Sequence, residues 1–172
     1  MINIIPCDIS RIDELTDIAV KTYRQNYTYL WHDGGEAYIA RIYNKATLLA
    51  DLAKPNVNYF FVYDDDELIG YIRLKQKPHP DYPVQSGLEI SKLYLLKQAT
   101  GKGAGKKIMR FITDWGRQHH CAIMWLMVME ISPAKAFYES FGFIQTARAR
   151  LDYPNLVDEY RWILTMIATN SI

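Results

Sequence analysis

One stretch constrains this chain more than any other. An apolar segment, Leu88–Leu96, runs into Gly101-Lys102-Gly103-Ala104-Gly105, and a helical pattern follows with Ala104, Ile108, Phe111 or Ile112, and Trp115 on one face. A second apolar run, Ala122–Met129, comes next. Both apolar runs have strand length and read as buried strands in mid-sheet. Glycines between a buried strand and a helix let backbone N–H groups approach a ligand, and the helix N-terminus adds a positive partial charge. Lys102, Lys106 and Lys107 add more positive charge. The ligand implied is a phosphate or a diphosphate.

Two common phosphate loops fail on spelling. A Walker A loop ending at Gly105-Lys106 needs glycine at 100 and Ser or Thr at 107, where the chain has Thr100 and Lys107. A dinucleotide loop started at Gly101 needs glycine at 106, where the chain has Lys106.

The remaining elements complete a mixed α/β pattern. Ile2–Pro6 reads as a first strand, and Ser10 as the N-cap of a helix with Ile12, Leu15, Ala19 and Tyr23 on its buried face. Gln25–Gly35 reads as a loop and Glu36–Ala53 as a second helix. Asn58–Tyr63 and Leu68–Leu74 flank the acidic turn 64–67 and form a hairpin. Gln76–Gly87, with three prolines, is irregular. Ser132 and Pro133 open a short helix that Gly142 closes. Phe143–Arg150 and Val157–Met166 are the last strands, and Ala168–Ile172 is a frayed tail. The expectation is a single domain over 1–172: one mixed, mostly antiparallel twisted sheet of about seven strands, flanked by about four helices.

Bulk properties narrow the function. The net charge of +1 gives no global case for nucleic acid or an anionic membrane. The short cluster Lys102, Lys106, Lys107 and Arg110 is no basic stripe. The longest apolar run, Cys121–Met129, is about half of a membrane span. Cys7 and Cys121 read as buried free thiols in a reducing cytoplasm. His119-His120-Cys121 reads as a helix end rather than a metal site, because adjacent residues seldom hold one ion.

A second motif gives the glycine loop its context. Ala134-Lys135-Ala136-Phe137-Tyr138-Glu139-Ser140-Phe141-Gly142-Phe143 follows the strand Ala122–Met129. Together the two motifs resemble the GNAT acetyltransferases, which carry [QR]-x-x-G-x-[GA] opening a helix and, one strand later, N-x-x-A-x-x-F-Y-x-x-x-G-F. The run Leu88-Glu89-Ile90-Ser91-Lys92-Leu93-Tyr94 and the paired early helices resemble the PaiA-type spermine/spermidine acetyltransferases within that family. Two positions depart from the pattern: Thr100 stands at the [QR] site and Ile131 at the Asn site.

The resemblance implies acetyl-CoA as donor, no metal, and a small primary amine, such as a polyamine, as acceptor. It implies a diphosphate on Gly101, Lys102, Gly103, Ala104, Gly105 and Lys106, with Ser132 nearby. The pantetheine arm would lie along Leu93, Tyr94 and Leu95 as an added strand. A backbone N–H there would meet the acetyl oxygen. Tyr138 falls on the family's tyrosine, which protonates the departing thiolate. Glu89, an acid in an apolar strand, is the candidate base for the amine, with an ordered water as the other choice. Phe137, Phe141 and Phe143 read as core. Tyr27, Tyr29, Trp31, Asp33 and Glu36 suit an acceptor cleft for an alkyl polyamine. Acetylation of a protein N-terminus or lysine, and a non-catalytic acyl-CoA-binding regulator, stand as alternatives. A homodimer is compatible with all three.

Overall fold

The computed structural model describes residues 1–101 and 103–170. Seven strands form one sheet: β1 (Ile2–Pro6), β2 (Val57–Asp64), β3 (Glu67–Gln76), β4 (Gly87–Leu95), β5 (Ile123–Met129), β6 (Ile144–Arg150) and β7 (Trp162–Thr169). Their order across the sheet is β1-β2-β3-β4-β5-β7-β6. Every neighbouring pair is antiparallel except β4 and β5. That parallel pair needs a crossover, and the helix after the glycine loop supplies it.

The helices are α1 (Ile12–Tyr27), α2 (Glu36–Ile42), α3 (Lys45–Leu52), α4 (Ala104–Gln118) and α5 (Ala134–Glu139). They pack on both faces of the sheet. Ile108, Met109, Ile112 and Trp115 of α4 close a core over Ile72, Leu74, Leu88 and Ile90. On the opposite face, Leu15, Ile18, Ala19 and Tyr23 of α1 pack with Tyr43, Leu48, Phe61 and Tyr71. Each fully buried side chain of this kind contributes about 1.5–3 kcal/mol.

Several boundaries differ from the sequence expectation, each for a local reason. Asp8, not Ser10, is the first cap. Its Oδ1 accepts the Ser10 N–H at 2.8 Å and starts a 3₁₀ turn before α1. Helix α1 runs on to Tyr27 because its last turn is tied to β4. Asn26 Nδ2 donates to the Leu95 carbonyl, and Gln25 Oε1 accepts the Lys97 N–H, both at 2.9 Å. The single helix expected over 36–53 is two, because Asn44 leaves the helical conformation and caps the Thr47 N–H at 2.9 Å. The last strand starts at Trp162 rather than Val157, since Asp158–Tyr160 form a 3₁₀ turn. It also extends through Ala168 and Thr169, which were expected to fray. Asn170 is buried, with its Nδ2 on the Cys121 carbonyl.

Candidate active site

Strands β4 and β5 pair only through Gly87–Ile123, Leu88–Met124 and Glu89–Trp125, then part. Beyond that point β5 keeps β7, and β4 keeps β3. The edge of β4 facing the gap is therefore open. Leu96 donates to the Ile69 carbonyl at 2.8 Å, which fixes the phase of the β3–β4 ladder. Alternation then turns the N–H and C=O groups of Leu95 and Leu93 away from β3 and into the gap. The Asn26 amide already takes the Leu95 carbonyl. The N–H groups of Leu93 and Leu95 and the Leu93 carbonyl face a space that an extended chain can fill.

That space is a cleft of about 810 Å³. Leu93, Tyr94 and Leu95 line one wall, and Ser132, Pro133, Ala134, Tyr138 and Phe141 line the other. Thr100, Gly101, Gly103, Gly105 and Lys106 form one end. Gly101 and Gly103 sit at φ +77° and +82°, where side chains are strained, and a Cβ on either meets nothing within 4 Å. Among the described residues, the N–H groups of Gly101, Gly103, Ala104 and Gly105 donate to no protein acceptor. The first N–H groups of a helix lack intrahelical partners by construction. Gly105 has a further constraint: a Cβ there would come within 2.8 Å of the Phe137 ring, so any side chain would push that ring aside where α4 starts against α5. Ala104 does not line the cleft; its methyl is buried beneath α4, leaving only its N–H to contribute. Lys102 lies outside the described residues.

Tyr138 is 8% exposed, between the rings of Phe137 (5.3 Å) and Phe143 (5.7 Å). Among the described residues its hydroxyl makes no hydrogen bond, and it lines the cleft. Burial, reinforced by the nearby Tyr27 phenol, pushes its pKa up, so it holds its proton throughout the neutral range. Ser132 Oγ accepts the Ala134 N–H at 3.2 Å and so caps α5 at the cleft wall. Phe137 and Phe141, read as core from the sequence, line the cleft as well. Phe143 is core.

Glu89 does not touch this cleft. It stands at the last β4–β5 pair, where the strands part, and accepts a hydrogen bond from Ser91 Oγ at 2.9 Å. The acids expected at the acceptor side are already engaged. Asp33 accepts from Gly35 and Ala37 at the start of α2, and Glu36 pairs with Arg24 at 2.9 Å. Tyr27 and Tyr29 do reach the cleft. Trp31 stacks on Tyr38 (4.9 Å) and donates to the Tyr23 hydroxyl. His119 lies flat on Trp115 at 3.6 Å. Among the described residues, no three His, Cys, Asp or Glu side chains converge as a metal site.

Sequence reasoning missed a second cavity, of about 640 Å³, on the α2–α3 side of the sheet. Lys92 lines it, a second charge, after Glu89, in a mostly apolar strand. That charge was the signal available in the sequence.

The sequence profile described as the acetyltransferase (GNAT) family matches residues 13–143. An uncharacterized N-acetyltransferase from Lactobacillus delbrueckii subsp. lactis is 32% identical over 107 residues, 61% of this chain and 62% of that protein. The match thus spans about three-fifths of that relative. Among solved structures, the PaiA N-acetyltransferase of Thermoplasma acidophilum, in complex with coenzyme A, superposes with a TM-score of 0.74 at 20% identity, covering 98% of this chain and 99% of that one. The spermidine N-acetyltransferase SpeG of Vibrio cholerae gives 0.72 at 15% identity, over 99% and 94%. A ribosomal-protein-alanine N-acetyltransferase from Brucella melitensis gives 0.71 at 15%, over 97% and 99%.

Proposed function

The chain belongs to the GNAT acetyltransferase family, and from that premise we propose that it transfers an acetyl group from acetyl-CoA to a small primary amine. The observation that carries this reading is the parting of β4 from β5 beside an open glycine loop, with Tyr138 in the wall. The cleft fits the donor in three respects. The N–H groups of Gly101, Gly103, Ala104 and Gly105, with Lys106, suit a diphosphate. The open edge of β4 at Leu93 and Leu95 suits an amide-containing arm. The remaining wall is mostly apolar. Bound there, acetyl-CoA supplies an activated thioester.

The chain's own residues then divide the work. The Leu93 N–H is the donor for the acetyl oxygen, where negative charge builds up. Tyr138 gives its proton to the departing sulfur. Glu89, at the apex of the gap, takes a proton from the amine, directly or through water. Thr100 keeps its own turn closed, with Oγ1 donating to the Lys97 carbonyl at 2.7 Å, so it does not replace the side-chain contact of the family's [QR]. Backbone N–H groups bear the diphosphate instead.

Polyamines are the first acceptors to test among small amines, because neighbours of the same fold are named for PaiA and for spermidine acetylation. The whole chain acts as one acetyltransferase domain, and its two free cysteines suit a reducing cytoplasm.

The test is thiol release from acetyl-CoA with a panel of amines, including spermidine. Tyr138→Phe should cut turnover by about 100-fold or more, as expected for a lost general acid. It should leave acetyl-CoA affinity within about twofold, since the hydroxyl meets only the sulfur and the diphosphate and pantetheine contacts stay in place. Full activity in that variant would refute the acid role. Acetyl-CoA binding without turnover on any amine, peptide or protein would favour the regulator reading.

A further inference from the structure

Strand β4 carries a bulge with a consequence for the acceptor. Arg73 pairs with Lys92 and Leu74 with Ile90, which leaves Ser91 as the extra residue. An extra residue resets the alternation of faces. Glu89, Ser91 and Lys92 therefore share one face: Ser91 Oγ reaches Glu89, and Lys92 Nζ donates to the Tyr43 hydroxyl at 2.9 Å. Leu93 returns to the opposite face, in contact with the α4 core.

Lys92 looks into the second cavity, bounded by α2, α3 and strands β2–β4. The Tyr94 ring lies 5.6 Å from Lys92 Nζ, and Tyr94 lines the donor cleft, so this residue stands between Lys92 and that cleft. The charges around the second cavity do not balance. Arg73, Lys54 and Lys92 are met by Asp51 alone. Asp51 is fully engaged: it accepts twice from Arg73 (2.6 and 2.9 Å), once from Lys54 (3.0 Å) and once from the Tyr59 hydroxyl (2.7 Å). Among the described residues, no carboxylate lies within 4.0 Å of Lys92 Nζ. Among the described residues, Tyr43 alone takes a hydrogen bond from its three donors. Glu89, three residues back on the same face, influences it at longer range. A partly buried ammonium with spare donors beside a cavity lacks the anion that would normally accompany it.

We propose that this cavity receives a carboxylate of the acceptor and that Lys92 reads it, so the preferred substrates are primary amines that also carry a carboxylate, as a diamino acid does. The assignment rests on the acetyltransferase reading and narrows it. Glu89 and Lys92 face Lys75 and Arg73, two residues apart on β3, so they stand roughly 7 Å apart along the sheet at ~3.3 Å per residue. One end of an extended amino acid can thus meet a proton acceptor while the other meets a cation. A polyamine brings only further positive charge to this cavity, and like charges repel.

Matched acceptors test the idea: lysine against cadaverine, and 6-aminohexanoate against hexylamine, each pair differing only in the carboxylate. The carboxylate member should show a kcat/KM at least tenfold higher. Lys92→Met should shrink that preference to within twofold, and Lys92→Arg should keep most of it. Both variants should bind acetyl-CoA as the wild type does. Equal or faster turnover of cadaverine, hexylamine or spermidine would overturn the proposal while leaving the acetyltransferase standing, as would an undiminished preference in Lys92→Met. Calorimetry with 6-aminohexanoate in the presence of CoA gives a readout apart from turnover. Binding that Lys92→Met abolishes supports the site, and absence of binding in the wild type overturns it. Failure to bind acetyl-CoA at all would strike the underlying reading instead.

Discussion

Replacing Lys92 by methionine should stabilise the protein near neutral pH, although it deletes a hydrogen bond and two aromatic contacts. Burial lowers the Lys92 pKa, and the nearby Arg73 charge lowers it further; Asp51 and Glu89 only partly oppose them. The result is about 8, against 10.5 for a free lysine. Below about pH 8 both folded and unfolded chains are protonated here, and the fold bears the full cost of the buried charge. Between about 8 and 10.5 the folded chain has released a proton that the unfolded chain still holds, so stability rises with pH and the cost fades. At ~1.4 kcal/mol per unit, the full cost is about 3 kcal/mol. Methionine forfeits the Tyr43 hydrogen bond and the two ring contacts at 4.6 and 5.6 Å, together worth about 1–2 kcal/mol. The net gain at pH 7 should be about 1–2 kcal/mol. Urea unfolding of both proteins at half-unit steps from pH 7 to 9.5 reads this directly. The wild type should close on the variant as pH rises, with a relative slope near ~1.4 kcal/mol per unit above pH 8. Parallel profiles, or a variant less stable at pH 7, would refute the claim that this charge is held without compensation.

Two further outcomes follow from the same structure. Asp51→Asn should cost about 3 kcal/mol, because it strands the Arg73 guanidinium, whose side chain is 12% exposed. Burial pulls the Asp51 pKa up, but hydrogen bonds from Arg73, Tyr59 and Lys54 outweigh it and hold the group well below 3.8. The stability it adds is therefore present above about pH 4 and lost as pH falls below that, and acid titration of the Asn variant should lack that component. Both cysteines should resist iodoacetamide at pH 8 in the folded protein and react once it is unfolded. Burial pushes the Cys7 thiol up to about 11 and raises that of Cys121. Fast labelling of the native protein would contradict this.

Local pattern was enough for the order of most elements, the family resemblance, and most of the residues that line the cleft. Hydrophobic periodicity and glycine placement are properties of neighbours in sequence, and the loop Gly101–Gly105, the α5 motif and the cleft positions Leu93–Leu95 all lie within such windows. Distant partners decided the rest. Helix α1 outlasts its expected end because Asn26 meets Leu95 of β4 and Gln25 meets Lys97 just beyond it, some seventy residues away. The acids Asp33 and Glu36 suggest an amine cradle in sequence, but in the fold they cap α2 and pair with Arg24. Lys92 is one charge in a strand until a bulge, Tyr43 and the Asp51–Arg73 pair surround it. Pairing across the sheet and the balance of charge in a cavity depend on residues the chain brings together only when it folds.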